Sequence, residues 1–431
     1  MKQTNNSQRI SRCFGRQLAV VLAVTLFFPC AAFAGGLELY EMGTPGLGLA
    51  AAGEAARAQD ASTLFTNPAG MTHLDRSQML IGTQALYGDA HFDRDENTTT
   101  DGGASGNPVG FFPGGSFFYV QSLSPDWKVG LGSFSYFGLP LDFSNDWSGR
   151  YYSQDNALLG MTFMPSLAYK VNEHLSLGVG LNAMYGMLQQ QAAINNLDPR
   201  LGDGKLEVQD GDWGFGADVG VMYEVSNRTR FGLRYLSRVD LDFKDTPEYT
   251  NLGPGLARLL TGTRRLDLGM SVPTELMFSG YHELNDCWAL LGSAGWQDWS
   301  KFGKVDVAVT SAESERSTTI DMQTKDTWHV SGGVQNRTLS EWIFSAGMAY
   351  DSSMFDDQDR PITMPIGEAW RFGVGAQYLV NADVTLGFAY ELAYAGDMKV
   401  DQNRGPLAGR ISGEYGDTML HYWALSLQYK L

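Results

Sequence analysis

His329 and Ser331 are the residues whose spacing first suggests chemistry. Two apart on a strand, they point to the same side, as a base and its nucleophile must. No Gly-x-Ser-x-Gly context surrounds Ser331, so the pair reads as inert polar groups rather than a hydrolase site. The other histidines, His73, His91, His174, His282 and His421, stand apart from any nucleophile or metal-ligand pattern. Asp351, Asp356, Asp357 and Asp359 crowd one segment and could ligate calcium, but a solvated acidic loop accounts for them. No metal, cofactor or catalytic residue is expected. Arg234 lies between Leu233 and Tyr235, and Arg371 between Trp370 and Phe372. Each points away from its apolar neighbours and could hold a carboxylate through paired hydrogen bonds. Asp218, Glu224 and Glu391 share that orientation and are the preferred partners. Two apolar sets stand in segments expected to be exposed loops. Phe137, Leu139, Leu141 and Phe143 alternate; Leu252, Leu256, Leu259 and Leu260 have helical spacing. They read as a ligand-binding surface or as two loops packed on each other.

The elements that hold these residues are strands. Trp423, Leu425, Leu427, Tyr429 and Leu431 share one face of a terminal strand, with Tyr422, Ala424, Ser426, Gln428 and Lys430 on the other. Leu175 to Tyr185, Trp213 to Tyr223 and Trp370 to Tyr378 repeat the pattern, with Gly and polar residues opposite the apolar face and aromatics near strand ends. Short turns occur at Ser124-Pro125-Asp126, Asn172-Glu173-His174, Ser226-Asn227-Arg228, Asn285-Asp286, Thr338-Leu339-Ser340 and Asn381-Ala382-Asp383. Longer polar loops are expected near 139–156, 191–211, 243–265, 301–325, 352–366 and 397–416. Six hairpins plus one strand at each end predict fourteen strands. An even count with short turns on one side matches an antiparallel transmembrane β-barrel, closed because lipid cannot satisfy an open strand edge.

Composition agrees. The 431 residues include 51 glycines and 12% aromatics, while charged residues reach only 18%, too few to cover soluble domains. Lys2, Arg9, Arg12 and Arg16 precede an apolar run, Leu18 to Phe28, too short to span a bilayer as a helix. Ala32-Phe33-Ala34 then fits a cleavage site, so residues 1–34 are expected to be a signal peptide. Its removal takes the formal net charge from −17 to −21, against nucleic-acid binding. It also leaves Cys287 as the sole cysteine, so no disulfide is expected. Pro29 before Cys30 fits a lipoprotein signal poorly.

Residues 35–75 read differently from the barrel expected over 76–431. Gly43-Thr44-Pro45-Gly46-Leu47-Gly48 is turn-like, Ala50 to Ala61 is helix-compatible, and Asn67 before Pro68 should bound an element. Small and compact, this segment suits the inside of a barrel. Here the chain resembles the outer-membrane transporters of long-chain fatty acids and hydrocarbons, the FadL/TodX type. The resemblance rests on Gly46-Leu47-Gly48, Ala51-Ala52-Gly53-Glu54-Ala55, Asp60-Ala61 and Asn67-Pro68-Ala69, in that order after a signal peptide. Trp147-Ser148-Gly149-Arg150-Tyr151, Pro165-Ser166-Leu167-Ala168-Tyr169 and Pro273 extend it over the chain.

The resemblance implies an N-terminal hatch over 35–75 with Asn67, Pro68 and Ala69 as its sensitive element. It implies capture of a hydrophobic ligand at outer loops, a deeper apolar pocket, and lateral release past a strand kink. The strand holding Gly130-Leu131-Gly132 is the best candidate for the kink. Fatty acid is the preferred cargo and aromatic hydrocarbon the alternative. An outer-membrane lipid hydrolase is the rival of another class. A passive porin would want an open lumen without a hatch. The partners expected are the ligand and membrane lipid, with no nucleic acid and a monomeric barrel.

Overall fold

The computed structural model describes residues 43–431 except 197, 199, 261, 262 and 312–314. The expected signal peptide and residues 35–42 of the expected hatch lie outside the described residues. Cys287 is disulfide-bonded in the full chain, whereas the lone cysteine was expected of the chain without residues 1–34. The chain's other two cysteines, Cys13 and Cys30, belong to the leader whose loss that expectation assumed.

The strands are β1 (Gln78–Arg94), β2 (Gly110–Ser122), β3 (Trp127–Asp142), β4 (Asp155–Lys170), β5 (Leu175–Ile194), β6 (Gly204–Ser226), β7 (Thr229–Leu236), β8 (Val239–Asp245), β9 (Glu248–Thr250) and β10 (Thr263–Val272). There follow β11 (Glu275–Glu283), β12 (Trp288–Gln297), β13 (Lys304–Ser311), β14 (Glu315–Asp321), β15 (Thr327–Asn336), β16 (Trp342–Asp351), β17 (Ala369–Leu379), β18 (Val384–Asn403) and β19 (Arg410–Lys430). Fourteen of them, β1–β7, β11, β12 and β15–β19, form one antiparallel ring. It closes through β1 and β19, with Gln78 opposite Lys430 and Arg94 opposite Gly413. Closure pairs the last strand edges, which a hydrocarbon surrounding requires.

The alternation sorts side chains as expected. On β4, Met161, Phe163, Leu167 and Tyr169 are exposed, while Thr162, Met164, Ser166 and Ala168 are buried. An outside of apolar side chains suits lipid. Aromatics pair at both rims. Trp127–Tyr169 (4.5 Å) and Trp342–Tyr378 (4.8 Å) lie near the short turns; Tyr185–Trp213 (5.2 Å) and Tyr350–Trp370 (4.8 Å) lie toward the long loops.

All six short turns fall between ring strands. The long segments differ from expectation because many continue as strand. β3 reaches Asp142, β5 reaches Ile194, and β18 and β19 extend to Asn403 and from Arg410. Within 243–265 and 301–325 the chain builds β8, β10, β13 and β14 into a second sheet, in the order β14-β13-β10-β8. These strands carry dense charge, as in Asp240, Asp242 and Lys244 alternating with Leu241 and Phe243, which masks their apolar face. Leu256 lies on a helix, Pro254–Leu260, as its spacing predicts.

Residues 43–74 contain 3-10 helices at Pro45–Leu49 and Pro68–His73 and one-turn α-helices at Glu54–Arg57 and Thr63–Thr66. The helix-compatible run from Ala50 to Ala61 is helical only in part. Ala50, Ala51 and Ala58 take φ values of 48°, 60° and 43°, which break the helix at a cost in strain. The segment is enclosed by the ring. Its Gly43 N–H donates to Gln84 on β1, Thr72 Oγ1 to Ser176 on β5, Ala55 N–H to Ser279 on β11, and Gly53 N–H to Ser293 on β12.

Candidate functional site

Asn67 ties the enclosed segment together and to the wall. Its Nδ2 donates to Ala55 O (2.7 Å) and to Val221 O of β6 (3.0 Å), and its Oδ1 accepts from Ala69 N–H (3.0 Å). The extended φ of −170° follows from Pro68, which opens the next 3-10 helix. The wall meets this knot with glycine. A Cβ on Gly178 would strike Ala69 and Pro68, one on Gly220 would strike Asn67 Oδ1, and one on Gly232 would strike the Ala55 carbonyl. On the opposite wall, Gly48 packs so closely that its own Cβ would lie 2.7 Å from Gly375 Cα. Backbone thus seals against backbone, leaving little room for water.

Charged side chains cluster beside this seal. Arg234 is buried against Asp218 (3.3 Å) and Glu275 (3.5 Å), with its guanidinium over the Phe65 ring at 4.1 Å. Arg371 bonds Glu391 at 2.6 Å and reaches Asp351 at 3.5 Å. Arg230 donates to the carbonyls of Ala56 (2.6 Å) and Arg57 (2.5 Å). Protein carboxylates therefore already occupy Arg234 and Arg371, two of them the acids preferred from sequence. Glu224 instead faces His73, at 3.5 Å. His329 is held between Asp351 (2.6 Å from Nδ1) and Ser331 Oγ (2.9 Å from Nε2). The order matches an acyl-transfer triad. However, Asp351 is shared with Arg371, and Ser331 sits mid-ladder opposite Ser293 and Ala349. Its backbone amide is committed to the sheet rather than offered to an oxyanion.

Phe137 belongs to an apolar cluster with Phe65, Phe118, Phe134, Tyr136, Met164, Met184, Leu241 and Phe243. Next to it the wall parts. β2 and β3 pair from Ser122↔Lys128 to Ser116↔Phe134 and then stop, although β2 still pairs with β1 and β3 with β4. The strands meet again only where Asp142 N–H donates to Pro108 O at 2.8 Å. Two causes are visible in the residues. Pro113 has no N–H to give. Tyr136 is an extra residue, since Ser135 and Phe137 oppose the consecutive Met161 and Gly160. A cavity of about 390 Å³ fills the parting, lined by Phe112, Pro113, Gly114, Gly115, Ser135, Phe137, Leu159, Gly160, Met161, Tyr185 and Met187. Met161 and Met187 face outward and Phe137 is buried, so residues from both faces of the wall line the cavity. At membrane depth such unpaired backbone is tolerated only where it is buried in protein or lines a water-filled cavity.

The residues singled out from sequence are distributed unevenly over these features. Phe137 lies at the cavity's inner side. Leu141 and Phe143 are buried in a second cluster with Trp147 and Tyr152, so the expectation of an exposed apolar loop is corrected for these three. They continue β3 on its inward face. Leu139 is on β3 and Leu259 and Leu260 are on the helix Pro254–Leu260, but their side chains lie outside the described residues. Leu256 is half-buried and joins neither cluster among the described residues. β3 shifts register at Tyr136, whereas Gly130 and Gly132 keep regular register and face Met71 and Leu64 of the enclosed segment. Sequence reading missed Phe112, Pro113 and Gly114. A proline among Gly110, Gly114 and Gly115 inside a strand was the available signal of an unpaired edge.

Comparison with known proteins agrees with this architecture. The chain is 28% identical over 404 residues to outer membrane protein P1 of Haemophilus influenzae, covering 83% of this chain and 86% of that protein. It is 26% identical over 438 residues to the long-chain fatty acid transport protein of Escherichia coli K12, covering 92% and 95%. Among solved structures it resembles a Pseudomonas aeruginosa FadL homologue (TM-score 0.78, 20% identity, 93% of this chain and 100% of that one). It also resembles the toluene transporter TodX of Pseudomonas putida (TM-score 0.64, 17% identity, 89% and 99%). Residues 25–430 match the family model for the outer membrane protein transport protein (OMPP1/FadL/TodX). A closed fourteen-strand barrel, a sealed interior and a full-length family match place this chain in the OMPP1/FadL/TodX family of outer-membrane transporters of hydrophobic compounds.

Proposed function

We propose that this protein carries long-chain fatty acids across the outer membrane and releases them sideways through the gap between β2 and β3. The observation that carries the reading is that gap, with an apolar cluster on one side and lipid on the other. The relatives named for long-chain fatty acid transport favour that cargo over aromatic hydrocarbons. An acyl chain gains about 0.8 kcal/mol per buried methylene, so a dry apolar interior suits it. Cargo enters from the long-loop end and rests in the interior near Phe137.

Residues 43–74 act in this reading as the hatch, continuous with the expected 35–75. The three alanines at positive φ support it, since stored strain lowers the cost of a second arrangement. Residues 1–34 are the leader that directs the chain outward. Because the ring leaves no free edge, a single copy suffices.

The test is uptake by cells lacking the protein and carrying it on a plasmid. Radiolabelled oleate should enter only with the protein, and lactose entry should be unchanged. Entry of toluene without oleate would assign the hydrocarbon cargo instead. Lactose entry alone would make it a porin.

A further inference from the structure

Glu54, the first residue of the helix Glu54–Arg57, is buried at 7% exposure, and neither of its carboxyl oxygens has a hydrogen-bond partner among the described residues. The groups that act on it come from every side. They are Glu275 on β11, Arg234 on β7, His329 on β15, and Arg57 of its own helix. Arg234 is already bonded to Asp218 and Glu275, and Arg57 to Asp60 at 3.0 Å. Glu275 Oε2 is likewise without a partner. Two buried carboxyls with orphaned oxygens thus act on each other at the joint between enclosed segment and wall.

An ionised carboxylate without a donor is very costly to bury, and a second one nearby raises the cost. Burial, and after it the charge of Glu275, push the Glu54 carboxyl well above the usual carboxylate range, against the pull of Arg234, His329 and Arg57.

We propose that Glu54 and Glu275 form a proton-binding site, and that a proton held there is needed to keep the N-terminal segment seated. The proposal rests on the reading of residues 43–74 as a movable hatch. The sign follows from linkage. A seated Glu54 holds a proton that a water-exposed Glu54 releases at neutral pH. Seating is therefore strongest in acid and weakens as pH rises, up to the point where the seated group itself ionises. One proton per unseating event gives about a tenfold fall in the seated-to-open ratio per pH unit within that window.

The measurement is hydrogen–deuterium exchange of residues 43–74 in the purified full chain in detergent, from pH 5 to 9. Rates are expressed as protection relative to the intrinsic rate at each pH. Wild type should lose about tenfold protection per pH unit over part of this range, and Glu54→Gln should show no slope. Glu275→Gln keeps the proton acceptor but removes its like-charged neighbour, so the slope should end at lower pH. That variant keeps the test open where Glu54→Gln folds poorly. A flat wild-type profile, or an equal slope in Glu54→Gln, overturns the proposal. So does protection that follows sodium concentration at fixed pH, which would identify a metal cation.

A separate arm tests the underlying reading. A Cβ on Gly333 of β15 would lie 3.0 Å from Ala52 Cβ, so Ala52→Cys with Gly333→Cys can lock the segment by oxidation. Oleate uptake that persists in the locked protein would sink the movable hatch, whatever the pH profile shows.

Discussion

Asn67 is fully buried and has three hydrogen bonds to lose. Asn67→Ala orphans two carbonyls and one amide, which should weaken seating of the segment by about 2–4 kcal/mol. Protease cleavage within 43–74 should rise, while the barrel keeps its heat-modifiable migration on gels. Arg371 makes a different prediction. Arg371→Ala leaves Glu391 and Asp351 buried without their cation and should cost about 3–5 kcal/mol. Adding Glu391→Ala should recover much of that in a denaturant titration. If Arg371 held the cargo head group instead, both variants would lose oleate binding and keep decane binding. At this scale the sequence was partly readable. Parity gave the inward direction of Arg234 and Arg371 and three candidate acids, of which Asp218 and Glu391 are partners and Glu224 is not. It could not give Asp351, because that residue meets Arg371 across strands whose register is set by the whole barrel. Glu54 was visible only as part of a motif, since its isolation depends on strands far along the chain.

Among elements, β3 carries the most specific prediction. Deleting Tyr136 removes the residue that puts β3 out of step with β4 and lets the strand run on in register. The variant should fold and insert as wild type does, and oleate uptake should fall at least about tenfold if the gap is the way out. Uptake at the wild-type level would refute lateral release at this position. Turn chemistry made the ring strands legible, because Asn, Asp, Ser and Pro punctuate the short side. The second sheet was not legible. β8 and β13 alternate Asp and Lys with their apolar residues, and charge density of that kind normally signals loop. The bulge at Tyr136 left one trace, since the consecutive Tyr136 and Phe137 break the alternation, but the break could be placed only once the partner's register was known.

For the whole molecule, removing residues 43–74 should turn a sealed cylinder into a water-filled one. In planar bilayers the truncated protein should show large, steady conductance where the full chain shows little. No gain in conductance would mean that the second sheet, β14-β13-β10-β8, and interior side chains close the bore on their own. The ring itself also constrains how the molecule is made. Its seam joins the earliest strand to the latest, Gln78 beside Lys430. The enclosed segment is synthesised before any of the wall, yet its glycine seats lie on strands from β1 to β17. A stopper fitted backbone to backbone has no obvious route in through a finished cylinder. Assembly must therefore wrap the staves around the bung, and whatever machinery inserts this barrel must keep the bung in hand until the final stave is hooped.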